Sequence, residues 1–498
     1  MSLYLIVIAA FLGFISYYII YQLYFSPLCK IPGPPVTNLF LGHFASFLNE
    51  EPGESLDNVI KENGDIVRIH TFLCKPFLLI TNLIFVQQIL VKDVYDYEKP
   101  KMVVIRDVTG NSLPFADREE HKKQRKMMEP MFFVSNLKSM FPMIIKTSHQ
   151  LKDVWLKIIG NKKEERIRIS DFTFKLTLDM IGLIGFDLNF NSISSPSKLA
   201  QAYGTMSGSN LSPLYVGLID VFPFIRKIPF GINVEYYNAI DTINNISEKI
   251  FVETKSNPGH KKTFISLLIQ ANENLPDNEK LSDQDLLNQV KTFIVAGHET
   301  TNALLTWAFY YLAKYSDVQE RLRKEIDSFP NFKDPTFEEI ESMKYLDAIY
   351  RETLRVVPPI PIIFRLPKKD IKLNKYFVPK GTPLMISTYA IHRNPLIWGN
   401  NAEDFDPSRW FNPEIRSKIT KNAYLPFIIG PRTCIGMKLA QMQFKIIMFV
   451  LIKNLEFRMV KGFTFRKTTA IITKPLPGID LMVSKVKRDI TNKCTSIE

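Results

Sequence analysis

Residues 426–437 read Pro426-Phe427-Ile428-Ile429-Gly430-Pro431-Arg432-Thr433-Cys434-Ile435-Gly436-Met437. A single cysteine is framed here by two glycines, an aromatic ring, a guanidinium and an apolar wall. It precedes a helix-like run, Met437 to Val450, whose positive dipole end would face the sulfur. Gly430 and Gly436 allow the chain to bend and approach a flat ligand closely. Phe427 can cover the sulfur, and Arg432 can answer a negative charge. A thiolate that ligates haem iron needs these features together: an apolar wall, backbone amides aimed at the sulfur, a nearby cation and permissive turns. A lone cysteine is ordinarily buried and inert, and the surroundings of Cys434 reverse that expectation.

The stretch resembles the haem loop of the cytochrome P450 haem-thiolate monooxygenases, whose pattern Phe-x-x-Gly-x-Arg-x-Cys-x-Gly is met by Phe427, Gly430, Arg432, Cys434 and Gly436. Ordinary amino-acid frequencies produce such a match in on the order of one chain of this length in ten thousand. The resemblance implies a mostly α fold with a smaller β portion, and haem b held by the Cys434 thiolate as its metal ligand.

Upstream, Ala296-Gly297-His298-Glu299-Thr300-Thr301 lies in a long helical stretch, Asp283–Phe329. It is similar to the family's oxygen-activating segment. Small Ala296 and Gly297 would leave room above the iron, a backbone-bonding Thr300 hydroxyl would hold O₂ and water, and Glu299 would feed protons. Glu-x-x-Arg occurs at Glu165/Arg168, Glu320/Arg323 and Glu352/Arg355. The resemblance selects Glu352/Arg355, followed by a proline-rich turn and Arg365, with Arg409 of Asp406-Pro407-Ser408-Arg409-Trp410 as the third member of a network behind the haem. It also implies propionate contacts from Arg125, from Arg365 and from His121, which stands where the family usually has Trp.

Outward from these motifs, the 498 residues give a length prior of roughly three domain equivalents. With 46% hydrophobic and 23% charged residues the chain is globular, and 21 Gly with 31 Pro show no collagen-like or low-complexity bias. Four cysteines (Cys29, Cys74, Cys434, Cys494) with no C-x-x-C pair exclude a dense disulfide framework and a structural zinc site. No period of about 20–50 residues repeats. The net charge of +13 admits nucleic acid, a membrane surface or an acidic protein as partner.

From Leu3 to Phe25 no charged side chain occurs, and a spanning helix needs about 20 such residues. The expected organisation is a transmembrane anchor at 1–25, a proline-rich extended spacer at 26–36 and a haem-thiolate catalytic domain at 37–498. A buried core helix is the alternative for the first segment. Lys30 and the basic chain beyond favour a cytosolic body, implying the endoplasmic reticulum membrane and leaving the sequons at Asn210 and Asn245 unmodified. Strand-like pieces are expected over 65–90 and 358–390, and helices dominate from about 117 to 330.

The leading expectation is a monooxygenase acting on a lipophilic small molecule. Its pocket candidates by family position are Val103–Phe115, Ile294–Ala296, Pro358–Ile363 and Thr469–Ile472. No flavin or nicotinamide domain is recognisable, so electrons would come from NADPH through a separate flavoprotein reductase, with cytochrome b5 as a further donor. Lys122, Lys123, Lys126, Lys438 and Lys445 would steer such acidic partners. The apolar stretch Val221–Phe230 would insert in a membrane or be buried in the core. The alternatives are a haem-thiolate isomerase, dehydratase or peroxide-using enzyme, and a non-catalytic membrane-anchored haem carrier or sensor. No zinc spacing or nucleic-acid-binding pattern accompanies the charge, so nucleic acid is excluded as a partner.

Overall fold

The computed structural model describes residues 2–43, 53–207, 215, 218–219, 222–256, 263–329, 334–469 and 471–486. The Asn210 sequon and Cys494 lie outside the described residues. Ser2–Ile20 forms helix α1, and Tyr21–Phe25 continues it with a wider turn. Tyr4–Lys30 is long and apolar enough to cross a membrane, and its most apolar window is not buried in the protein. The buried-core alternative therefore fails. The following segment differs from a free extended spacer: Pro27–Lys30 is a short 3₁₀ turn capped by the Ser26 hydroxyl, and Leu28 and Ile31 are buried. The body thus begins directly after the last aromatic residues of the apolar run.

Helix α2 (Glu54–Asn63) leads into strands β1 (Ile66–His70) and β2 (Pro76–Ile80), and β3 is Tyr97–Glu98. Helices α3 (Arg118–Met128) and α4 (Val134–Ile159) precede β4 (Glu165–Arg168), α5 (Ile169–Phe186), α6 (Gly231–Ser256) and the 32-residue α7 (Asp283–Lys314). Then follow α8 (Lys344–Val356), β5 (Ile362–Pro367), β6 (Ile371–Leu373), β7 (Tyr376–Val378), β8 (Leu384–Ser387) and α9 (Met437–Asn454). Strands β9 (Leu455–Met459), β10 (Arg466–Thr469), β11 (Thr473–Leu476) and β12 (Asp480–Lys485) end the described chain.

The two strand-rich regions expected from sequence join in one sheet of order β1-β2-β8-β5-β3, in which β2 runs parallel to β8. A second sheet, β4-β12-β9, and the hairpins β6-β7 and β10-β11 complete the β portion. The helical core is centred on α7, which crosses α5 at close range. A Cβ on Gly297 would fall 2.5 Å from the Ile181 side chain, and one on Gly185 2.8 Å from Phe293. Gly297 is thus favoured by the close packing of α7 on α5. Trp155 of α4 is fully buried and meets Phe172, Phe309 and Phe457 edge-on, which locks α4, α5, α7 and β9 together.

Candidate active site

The Cys434 loop runs into α9, with Phe427 stacked 6.5 Å from Tyr350 of α8 and Gly430 against Leu90 and Val91. Cys434 N–H donates to the Phe427 carbonyl at 2.9 Å, and Thr433 closes a tight turn on Gly430. Gly430 has φ +77°, and a Cβ there would lie 2.4 Å from the Leu90 carbonyl oxygen. Its glycine is therefore required by the neighbouring backbone as well as by the turn. Gly430→Ala costs about 1–2 kcal/mol for its φ alone and more for the collision, so thermal denaturation is expected to show a clear loss of stability.

Gly436 caps α9, and its N–H donates to the Cys434 sulfur. Burial pushes the Cys434 thiol up, while this amide, Arg125 and Lys99 oppose the rise. Surrounded by protein, the Cys434 side chain is nevertheless exposed, so it opens onto an internal void.

Cations gather around that void. Arg365 is 2% exposed, and its Nε and Nη2 have no partner. Burial, then Arg432, push its pKa down to about 9. Arg432 donates to the Ala116 carbonyl at 2.9 Å and meets Asp117 at 3.2 Å. Arg125 pairs with Glu129 at 2.9 Å and donates to the Thr433 carbonyl at 2.5 Å, beside the sulfur. His121 is buried, its Nδ1 lies 3.3 Å from the Tyr95 hydroxyl, and burial followed by Arg432, Arg125 and Lys99 lowers its pKa to about 4. Neutral His121 offers hydrogen bonding but no charge.

Sequence reasoning missed Lys99. Burial, then Arg365 and Arg432, push this ammonium well below its ordinary value, with Cys434 opposing. No motif marks it; only the folding of β3 against β5 brings Lys99 beside Arg365. An orphaned buried guanidinium beside further cations, facing an accessible sulfur, matches a flat, dianionic, thiolate-ligated macrocycle. The residues present fit haem.

Between Asn288 and Phe309, α7 is buried except at Val295, Ala296, Gly297 and Thr300, of which Ala296 is exposed. Ile294 turns away and is fully buried. The Thr300 hydroxyl donates to the Ala296 carbonyl at 2.8 Å without interrupting the helix. Glu299 does not share the Ala296 face: it is 1% exposed, with Oε2 2.5 Å from Lys474 Nζ and Oε1 3.5 Å from His298 Nε2. Burial would raise its pKa, but Lys474 and then His298 hold it well below the usual carboxylate range. Lys474 belongs to β11, whose Thr473 carbonyl accepts from the Trp307 indole at 3.0 Å and whose Thr473 N–H donates to Pro359. The β10-β11 hairpin, which carries Ile471 and Ile472, is thereby tied to α7.

Behind the Cys434 loop, Glu352, Arg355 and Arg409 are all buried. Arg355 grips Glu352 through two bonds, 2.9 and 2.7 Å, and donates to the carbonyls of His392, Ala402 and Asp404. Arg409 Nε reaches Glu352 at 3.4 Å, and the Trp410 indole donates to it at 3.0 Å. The other two Glu-x-x-Arg copies sit elsewhere: Glu165 pairs with Lys162, and Arg323 donates to the Ile452 carbonyl. Buried His392 joins this network. Its Nε2 accepts from Leu425 N–H at 2.7 Å, and burial followed by Arg355 and Arg393 lowers its pKa to about 3. The network is thereby wired to the chain two residues before Phe427.

Lys122, Lys126 and Lys438 are exposed and Lys123 half-buried. Lys445 is not available to a partner: it is 2% exposed and paired with Asp347 at 3.2 Å. Phe224, Ile228 and Phe230 are 62%, 46% and 42% exposed, against burial of that stretch in the core.

The family model described as "Cytochrome P450" matches residues 32–481. Cytochrome P450 monooxygenase 128 of Postia placenta is 30% identical over 478 residues, covering 88% of this chain and 87% of the relative. Cytochrome P450 monooxygenase 205 of the same fungus is 29% identical, covering 91% of each. Human cytochrome P450 3A5 is 32% identical over 398 residues, covering 78% of each.

Proposed function

The chain belongs to the cytochrome P450 family, and from that premise we propose that it is a reductase-dependent haem-thiolate monooxygenase that oxidises a lipophilic small molecule at a membrane surface. The observation that carries this reading is the accessible sulfur of Cys434 deep in the body, in a cluster of cations that includes the buried Arg365, two of whose guanidinium nitrogens have no partner. When bound, haem would supply oxygen activation, with the Cys434 thiolate contributing electron density.

This chain's own residues set the conditions. Cys434 would bind the iron, with the Gly436 amide moderating the sulfur's charge, and Lys99, Arg125, Arg365, Arg432 and His121 would receive the propionates. Ala296 and Thr300 would line the oxygen side, with the Thr300 hydroxyl free to exchange its backbone bond for water. Glu299 would deliver protons once its grip on Lys474 loosens. The candidate pocket segments, such as Pro358–Ile363, are mainly apolar and would suit a lipophilic substrate. Residues 1–25 would anchor the chain in the endoplasmic reticulum membrane, with 26–36 as junction, the body at 37–498 in the cytosol, and the Phe224–Phe230 patch against the lipid. Lys122, Lys126 and Lys438 would help dock a flavoprotein reductase or cytochrome b5.

Consumption of O₂ and NADPH with purified reductase tests the reading, and turnover surviving without either overturns it. The Glu299–Lys474 pair gives substance to a second reading: an isomerase, dehydratase or peroxide-using enzyme needs no proton relay and would leave the pair permanently closed. Lys474→Met separates the two. Without the ammonium, burial dominates and the Glu299 pKa rises. The acid limb of the pH–turnover profile therefore moves upward if Glu299 relays protons, and stays in place if it does not.

A further inference from the structure

Strand β1 reads Ile66-Val67-Arg68-Ile69-His70, and its two faces differ. Val67 and Ile69 are fully buried in an apolar cluster with Leu56 of α2, Leu79 and Met385. The other face carries Ile66, Arg68 and His70 and lies under the segment that follows α1. Ile66 packs with Leu28 and Ile31, and Arg68 N–H donates to the Pro32 carbonyl at 2.8 Å. Two basic side chains thus occupy positions where this cover calls for apolar ones.

Their polar atoms are stranded. His70 is 1% exposed, and neither ring nitrogen has a hydrogen-bond partner. Arg68 Nε and Nη1 are buried without partners as well. Buried polar atoms are nearly always paired, and exceptions call for an unseen group. His43 closes the cluster, with its ring centre 5.8 Å from that of His70. Its Nδ1 accepts from His70 N–H at 2.9 Å, which places its proton on Nε2, 3.2 Å from the Pro35 carbonyl. His43 is therefore a neutral framework piece, and the open donors belong to Arg68 and His70.

The backbone walls are fixed. A Cβ on Gly33 would fall 2.0 Å from the Arg68 carbonyl oxygen, and one on Gly42, at φ +58°, 2.4 Å from that of His70. Among the described residues, the charged or titratable groups that act on His70 are Arg68 and His43. Burial, then Arg68 and His43, depress the His70 pKa to about 4; an anion would reverse that.

We propose that Arg68 and His70 form a phosphate-binding site beneath the post-anchor linker, with a phospholipid headgroup as the source its position favours. A guanidinium fork beside an imidazole suits a phosphate's oxygens. Arg68 is only half-buried, so the cluster lies close to the surface. The neighbouring turn presents Leu39 and Phe40 at 56% and 51% exposure, and Phe25 at the end of the apolar run is 72% exposed. These apolar side chains place the site at headgroup depth if α1 spans a bilayer, so the lipid source rests on the anchor reading, whereas the anion site does not.

The test uses the full-length, haem-loaded protein. It is ejected from phosphatidylcholine–phosphatidylglycerol nanodiscs in a mass spectrometer, and separately titrated in detergent with inorganic phosphate while the His70 ring is followed by NMR. One retained phospholipid in the wild type, reduced about tenfold in Arg68→Met and His70→Leu, as loss of a charge-assisted contact predicts, supports the headgroup. A phosphate-dependent rise of the His70 pKa without lipid retention supports the site with free phosphate as its source. Neither response, or equal responses in the wild type and Arg68→Met, overturns it. An unchanged carbon-monoxide spectrum in the variants verifies that the body is folded and leaves the haem reading separately testable. In phosphate-free detergent both variants should melt no lower than the wild type, because the donors they remove are unpartnered; a marked drop would assign those side chains a structural role instead.

Discussion

Cys434→Ala is expected to yield a folded protein in which the strongly red-shifted Soret band of the reduced, carbon-monoxide-bound state is absent and oxygenase turnover is lost entirely. The spectrum depends on a thiolate ligand, and Cys434 is the cysteine whose sulfur opens onto the cation-lined void. Folding should survive because the loop is held by backbone groups, Cys434 N–H to Phe427 and Thr433 N–H to Gly430, which alanine retains. An exposed side chain away from packing contributes little, within about 0.5 kcal/mol. Substitution of Cys29, Cys74 or Cys494 should leave the band in place. Cys29 Sγ already donates to the Leu23 carbonyl at 3.2 Å, and Cys74 is buried beside the first sheet. A red-shifted band persisting in Cys434→Ala would defeat the assignment, and with it the roles given to Arg365, Lys99 and Arg432.

What the sequence made legible follows the range of the interactions involved. The Cys434 loop and α9 are local: glycines, a cysteine and a helix start lie within a dozen residues, so their chemistry is readable in order. The helical period of α7 is likewise local. Pairing across long separations was not readable. Residues 65–90 and 358–390 both looked strand-like, but nothing in either foretold that β2 would lie parallel to β8 in a shared sheet. Lys99 was missed for the same reason, since β3 meets β5 across more than two hundred residues of chain. A further reason for glycine at two positions was not readable, because only three-dimensional neighbours supply it: Ile181 at Gly297 and the Leu90 carbonyl at Gly430. Lys445 looked like one more surface cation, yet the fold turns it inward to Asp347. Glu299 was placed on the right helix, but its tie to Lys474 depends on a hairpin far along the chain.

Glu352→Ala is expected to give the largest stability loss in the body. Glu352 is the only carboxylate bound to Arg355 and Arg409 among the described contacts, and all three are buried. Removing it leaves two guanidiniums with carbonyl partners alone. Breaking a buried pair from one side costs about 3–5 kcal/mol, a large part of the roughly 5–15 kcal/mol that holds a domain folded. The damage should propagate along a definite route. Arg355 fixes the carbonyls of His392, Ala402 and Asp404, and the His392 ring holds Leu425 N–H at the start of the chain leading to Phe427 and Cys434. Haem retention should therefore fall together with the denaturation midpoint. Glu352→Gln keeps acceptor and shape while losing charge, and should fall between the wild type and Glu352→Ala. Arg409→Met should cost less than either, because Glu352 keeps its two-bond grip on Arg355 and a net positive cluster loses one charge. Chemical denaturation of the haem-loaded proteins reads all three. A Glu352→Ala midpoint within about 1 kcal/mol of the wild type would show that the carbonyls alone satisfy both guanidiniums, and that the carboxylate is not what holds the loop behind Cys434.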